Sequence, residues 1–294
     1  MDAEAARDSQ ESADKQGYVT DDKESVKGDI PRKDIHVANR PLSESLSCIF
    51  PGKLNDKDVA INFPKVSEAD EHDVVYEAKL TRRLDHLNVI KVLGTTAVKR
   101  KLGIVREDAD CGSLDKLIGT VDQQQLQKIA LGIISGLEYL HSEKVNVIHG
   151  NIKPSSILMF SDGQNHGMIP KISDFGKSTY KTDKCRSPTK VGDELYMAPE
   201  VRLNLGYSFT ADIFSLAMTM FEMFNEQLVR KSSDEVKRFI LDVHTGRIAE
   251  MPNSWKVPQY LRNVIESGWN ENPEKRPELS KFQVALEGYF FTFY

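Results

Sequence analysis

Cysteine is scarce in this chain. It has three in 294 residues, Cys48, Cys111 and Cys185, with no paired spacing. That argues against a disulfide framework or a thiolate zinc site and fits reduced thiols in a cytoplasmic or nuclear protein. Long apolar runs are also missing. The best candidate, Ile213 to Phe224, is broken by Ser215, Thr219 and Glu222 and falls short of the ~20 residues a membrane helix needs. The first residues, Met1-Asp2-Ala3-Glu4, are acidic and carry no apolar stretch, so no signal peptide and no membrane partner are expected. Positive charge is not in excess. The net charge is −5 and the isoelectric point about 5.9, so nucleic-acid binding is not expected. No internal repeat is visible. What remains is ordinary globular composition, 39% hydrophobic and 28% charged, long enough to build a sizeable core in one or two lobes.

Residues 1–33 are rich in Asp, Glu, Lys, Ser and Gln and poor in large apolar side chains. Such a segment buries too little to offset its ordering entropy and reads as a disordered tail. The rest, 34–290, reads as one folded domain. Asp58 to Phe63 is rich in β-branched and apolar residues, a good strand. Residues 68–84 read as a helix with Glu77, Leu80 and Leu84 on one face. Strands are expected over 91–98 and 102–106, and a long core helix from Gln123 to His141, with apolar residues at helical spacing. Two short strands, 157–160 and 168–172, flank a turn holding Gly163 and Gly167.

Three patterned stretches follow that helix in order. They are His149-Gly150-Asn151-Ile152-Lys153-Pro154-Ser155-Ser156, then Asp174-Phe175-Gly176, then Ala198-Pro199-Glu200. Their order and spacing resemble the catalytic loop, metal-binding turn and end of the activation segment of the protein kinase superfamily. The likeness extends from about Leu42 to Leu286. It takes in Asp212, which in the family caps the catalytic-loop backbone, and Arg276, which in the family pairs with the glutamate at Glu200. The resemblance implies an α+β, bilobal protein-kinase-like fold, with a small β-rich N-lobe at about 42–107 and a larger helical C-lobe at about 112–290. Trp269 and the closing motif, Glu271-Asn272-Pro273-Glu274-Lys275-Arg276-Pro277, resemble the tyrosine-kinase-like group. The His149-Gly150 pair resembles the PDZ-binding kinase branch.

The chain departs from the family where chemistry occurs. Asn151 stands at the catalytic base, and a neutral amide cannot accept a proton as a carboxylate does. Ser156 stands at a metal-binding Asn. Asn62, in Val59-Ala60-Ile61-Asn62, stands at the lysine that holds the ATP phosphates, and Lys65 does not replace it. Ser43, Ser45 and Cys48 occupy glycine positions of the phosphate-covering loop, and no glycine lies between Leu42 and Gly52. Gly150 removes the arginine that reads a phosphorylated activation segment. Glu77 falls at the helix glutamate that normally pairs with the missing lysine, and Arg106 at the back of the adenine pocket, so an Arg106–Glu77 pair is expected. Lys153 and Asp174 are retained. Asp174 can still hold one Mg²⁺, and Lys153 can still contact a γ-phosphate.

These departures point to a pseudokinase: a fold with impaired phosphoryl transfer, acting as scaffold or allosteric regulator on protein partners such as an active kinase or its substrate. Two alternatives stay open. One is a weak or unconventional ATP- and Mg²⁺-dependent kinase of Ser, Thr or Tyr. The other is a switch that binds ATP without transferring phosphate. Candidate phosphosites in the activation segment are Ser178, Thr179, Tyr180, Thr182, Ser187 and Thr189.

Overall fold

The computed structural model describes residues 28–44, 47–64, 71–98, 101–163, 167–181, 193–224 and 257–290. Residues 1–27 of the expected tail, Ser45, Lys65, Cys185, Thr182, Ser187 and Thr189 lie outside that set.

The first half is an antiparallel sheet built from β1 (Ile35–Val37), β2 (Ser43–Glu44), β3 (Ser47–Leu54), β4 (Lys57–Pro64), β5 (Val92–Val98) and β6 (Lys101–Glu107). Its order is β1-β3-β4-β6-β5, with β2 paired to β3. Asn55 and Asp56, both at positive φ, make the tight turn between β3 and β4, a conformation these two residue types tolerate. The alternation in β4 sets the two faces of the sheet. Val59, Ile61 and Phe63 pack with Ile35 and Val105 on one side. Ala60 and Asn62 face the other side, directly opposite Arg106 and Ile104 of β6. Helix α1 (Glu71–Thr81) lies against β5 and β6, and buries Val74 and Ala78 among Val92, Leu102 and Ile104. Residues 28–30 dock on the edge strand β5. Ile30 N donates to Thr95 O at 2.8 Å, and Asp29 accepts from Thr95 and pairs with Arg82 at the end of α1.

The second half is mainly helical: α2 (Gln123–His141), α3 (Pro199–Arg202), α4 (Phe209–Phe224), α5 (Gln259–Gly268) and α6 (Leu279–Phe290). Helix α2 starts where the Asp122 side chain accepts Gln125 N at 2.8 Å, an N-cap that satisfies one of the first turn's open donors. Its apolar face from Leu126 to Leu140 is buried. Helix α4 is buried nearly all round, as expected of a helix at the centre of a core. Here the interrupted apolar run at 213–224 is core, and among the described residues no helix is long and apolar enough to cross a membrane. Trp269 packs edge-on against Phe221 at 5.3 Å.

Between the halves sit short strands β7 (Val147–Ile148), β8 (Ile157–Ser161), β9 (Met168–Ile172) and β10 (Thr179–Tyr180). The arrangement is α+β and bilobal, with a sheet lobe over a helical lobe. The segments expected to be strands and helices formed as such, with boundaries shifted by a few residues. Helix α1 ends at Thr81, and Leu84 lies in the following turn.

Candidate active site

Strand β7 delivers His149, Gly150 and Asn151 to the cleft, and α4 fixes their backbone from below. Asp212 Oδ2 accepts His149 N at 2.8 Å and its Oδ1 accepts Gly150 N at 2.7 Å. Burial acts to raise the Asp212 pKa, but His141 at 2.9 Å and these donors outweigh it and hold the carboxyl below its ordinary value. His149 is fully buried. Its Nδ1 accepts Asn151 N at 3.2 Å and its Nε2 faces Ser173 O at 3.0 Å, which fixes a neutral Nε2–H tautomer. Burial pushes its pKa down. Ser178 Oγ donates to His149 O at 2.8 Å. Ser178 and Thr179 are buried, so neither offers an accessible hydroxyl to a modifying enzyme.

Gly150 has φ +75, and a Cβ built on it would fall 1.1 Å from Tyr207 Oη. The Tyr207 hydroxyl therefore fills the space a side chain at 150 would need. It is buried with no hydrogen-bond partner among the described residues, and burial pushes its pKa well up.

Asn151 Nδ2 donates to Asp174 Oδ2 at 2.6 Å, and Asn151 Oδ1 accepts a long 3.5 Å bond from Lys177 Nζ. Asp174 is exposed and sits in the left-handed region, φ 67 and ψ 64, a conformation that Asp tolerates better than most residues. Ser156 is fully buried and bound locally. Its Oγ accepts Lys153 N at 3.0 Å and donates to Lys153 O at 2.8 Å. The Lys153 ammonium makes no hydrogen bond or ion pair with a described residue. Burial, then repulsion from Lys153, pulls the Lys177 pKa down, while Asp174 and Asp193 work the other way.

Deeper in the cleft, Arg106 and Asn62 lie on one face of the sheet. Arg106 Nη1 donates to Glu107 O at 3.2 Å. Burial lowers its pKa, against the fields of Asp108, Glu107, Glu77 and Asp174. Glu77 thus acts on Arg106 through space, and its Oε2 reaches to 3.3 Å from where a Cβ on Gly176 would sit. Asn62 Oδ1 is buried with no partner among the described residues.

A family model described as a protein kinase domain matches residues 47–290. The chain belongs to the protein kinase family. It is 34% identical to a PR5-like receptor kinase of Arabidopsis thaliana over 82% of this chain and 40% of that protein. It is 26% identical to the Arabidopsis serine/threonine-protein kinase STY17 over 88% of this chain and 45% of that protein. It is 25% identical to the Arabidopsis serine/threonine/tyrosine-protein kinase HT1 over 87% of this chain and 66% of that protein. The chain thus spans about half the length of the curated relatives it matches.

Kinase domains generally use ATP and Mg²⁺. In this kinase domain the residues present fit that pair only in part. Asp174 is a metal-competent carboxylate and Lys153 an unengaged cation. The Ser156 hydroxyl is spent on Lys153, an Asn151 N–H occupies an oxygen of Asp174, and the orphaned acceptor of Asn62 replaces a phosphate-binding cation. The Mg²⁺-nucleotide arrangement of the family does not fit this donor set. The structure joins Asn151 to Asp174 and the buried Ser156 to Lys153, and it places Asn62 and Arg106 on one face of the sheet, with Glu77 acting on Arg106 through space. Sequence reasoning missed Lys177 and Tyr207. Lys177 had one available signal, its place directly after Asp174-Phe175-Gly176. Tyr207 had none, because its role depends on a space left by a residue far along the chain.

Proposed function

We propose that this kinase domain is a pseudokinase: impaired in phosphoryl transfer and acting on protein partners as a scaffold or allosteric regulator. The observation that carries this reading is the 2.6 Å hydrogen bond from the Asn151 amide to Asp174. In an active kinase the base position holds a carboxylate that accepts the substrate proton, and the turn Asp holds Mg²⁺ together with a catalytic-loop Asn. Here a neutral N–H faces Asp174 directly, so position 151 offers no carboxylate to accept the substrate proton and one oxygen of Asp174 is engaged. Loss of a positioned general base typically slows transfer by about 10²–10⁴-fold.

The test is radiolabel transfer from ATP to generic Ser, Thr and Tyr substrates by purified protein. The expected signal is no higher than that of an Asp174→Ala control. Transfer well above background and abolished by Asp174→Ala would instead establish the second reading, a weak kinase, which the exposed Asp174 and the unengaged Lys153 favour. A thermal-shift titration with ATP and Mg²⁺ separates a scaffold that binds no nucleotide from the weak-kinase and nucleotide-switch readings, because a ligand at a hundredfold excess over its dissociation constant adds about 2.7 kcal/mol.

In this reading the domain runs over about 34–290, with residues 28–33 docked on β5. Placement in the tyrosine-kinase-like group, near the PDZ-binding kinase branch, draws on Trp269, the closing motif and His149-Gly150. The cytoplasm is the proposed compartment, on the scarcity of cysteine.

A further inference from the structure

We infer that the mouth of the cleft is a binding site for a phosphorylated side chain of a partner protein. This rests on the pseudokinase reading and gives it a ligand.

The argument begins with charge. A carboxylate at position 151 would stand against any phosphate bound where an acceptor hydroxyl normally lies, and would repel it. Asn151 removes that charge while keeping the shape. One of its N–H groups goes to Asp174, and the second has no acceptor among the described residues. Nearby are two lysines with unspent capacity, close enough to repel each other. Lys153 makes no hydrogen bond or ion pair with a described residue, and Lys177 makes one long bond of 3.5 Å, to a neutral amide oxygen. The two ammonium groups repel each other in a half-buried setting. A doubly charged phosphomonoester offers acceptors for both, and such charge-assisted bonds are among the strongest available. Asp174 is the opposing carboxylate at the mouth. Its Oδ2 is already turned onto Asn151 Nδ2, and its field is shared with Arg106.

Direction of approach selects a protein side chain over a nucleotide. The nucleotide end holds the Asn62 oxygen, without a partner among the described residues, and the half-buried Arg106, and its covering loop has no glycine from Ser43 to Pro51. The open end is at Asp174 and Gly176, which are exposed.

The test measures binding of the full chain, without nucleotide, to fluorescent peptide pools with a central phosphoserine, phosphothreonine or phosphotyrosine. The same pools unphosphorylated and inorganic phosphate alone serve as comparisons. At least one phosphorylated pool should bind tenfold or more tightly than its unphosphorylated twin. Lys153→Gln and Lys177→Gln should each weaken it about tenfold, and the isosteric Asn151→Asp should weaken it similarly by restoring the repelling charge. Urea midpoints of the variants identify any that does not fold, and the remaining ones decide. Equal binding of phosphorylated and plain pools overturns the inference, as does phosphopeptide binding unchanged in the folded variants. Inorganic phosphate competing at the same concentration as the peptide would reduce the site to a simple anion site. Radiolabel transfer on the same preparation scores the pseudokinase reading separately, since peptide binding needs no ATP.

Discussion

Position 150 shows how one missing side chain reshapes a site. Tyr207 Oη stands where a Cβ would go, and the backbone is left-handed. Gly150→Ala is therefore expected to lower stability by about 1–3 kcal/mol through overpacking, with left-handed strain adding to it. Tyr207→Phe should cost little, because its buried hydroxyl has no partner among the described residues. Urea unfolding of both variants checks the pair, and a Tyr207→Ala change should recover part of the Gly150→Ala loss. Asn151→Asp places a second carboxylate 2.6 Å from Asp174. Two acids that close cannot both ionise freely, so its melting temperature should fall at pH 7 and recover with added Mg²⁺. The chemical identity of Gly150, Asn151 and Asp174 was legible in the sequence, because each falls inside a motif. Which neighbour each would touch was not. Asn151 looked like a lost base and proved also to be a donor bound to Asp174. Arg106 donates a hydrogen bond to its own neighbour's carbonyl, and Glu77 acts on it through space.

At the scale of elements, the helical lobe is tied together by groups distant in sequence. Arg276 forks onto Glu200 at 2.6 and 2.7 Å and also donates to Thr210 O and Asn270 O. Its side chain is fully covered. Arg276→Ala leaves Glu200 and two carbonyls without their donor, and a loss of about 3–5 kcal/mol is expected in chemical denaturation. The resemblance implied this pair, because both residues sit in motifs. Acid sensitivity also belongs to this scale. Burial holds the pKa of His149 and His86 below the ordinary 6.5, so the unfolded chain binds more protons as pH falls through that value. Stability must then decline on acidification from about pH 7 to 5, by up to about 1.4 kcal/mol per pH unit for each proton. Asp212, held low, keeps its contribution above 3.8 and loses it only further down. His149→Gln should flatten the slope between pH 7 and 5 even where it lowers stability overall; urea midpoints across that range measure it.

At the scale of the molecule, the two lobes are joined by more than their connecting chain. Ile90 N donates to Ile172 O and Ile172 N to Asn88 O, both at 2.9 Å. Asn88 Nδ2 donates to Pro170 O at 2.9 Å. Glu107 pairs with Lys171 at 2.7 Å and also accepts Lys91 N. Unfolding is expected to be one transition, with tryptophan fluorescence, which reports the helical lobe through Trp269, coinciding with circular dichroism. Asn88→Ala combined with Lys171→Met should separate the two curves, since each change removes a bond across the lobes. Coincident curves in the double variant would show that the remaining backbone bonds and apolar packing are enough to couple them.

The sequence by itself determined the family, the order of strands and helices, and which chemical groups are absent from the cleft. Motif spacing and the periodicity of buried residues are properties of the chain and need no partner to be read. The tertiary structure decided what took the place of the missing groups: the Asn151 amide on Asp174, the Tyr207 hydroxyl over Gly150, Ser156 turned onto Lys153, and two lysines left at the mouth with capacity to spare. The first two of these are contacts between segments separated along the chain. A hydrogen bond or a filled space exists only once packing has fixed both of its sides.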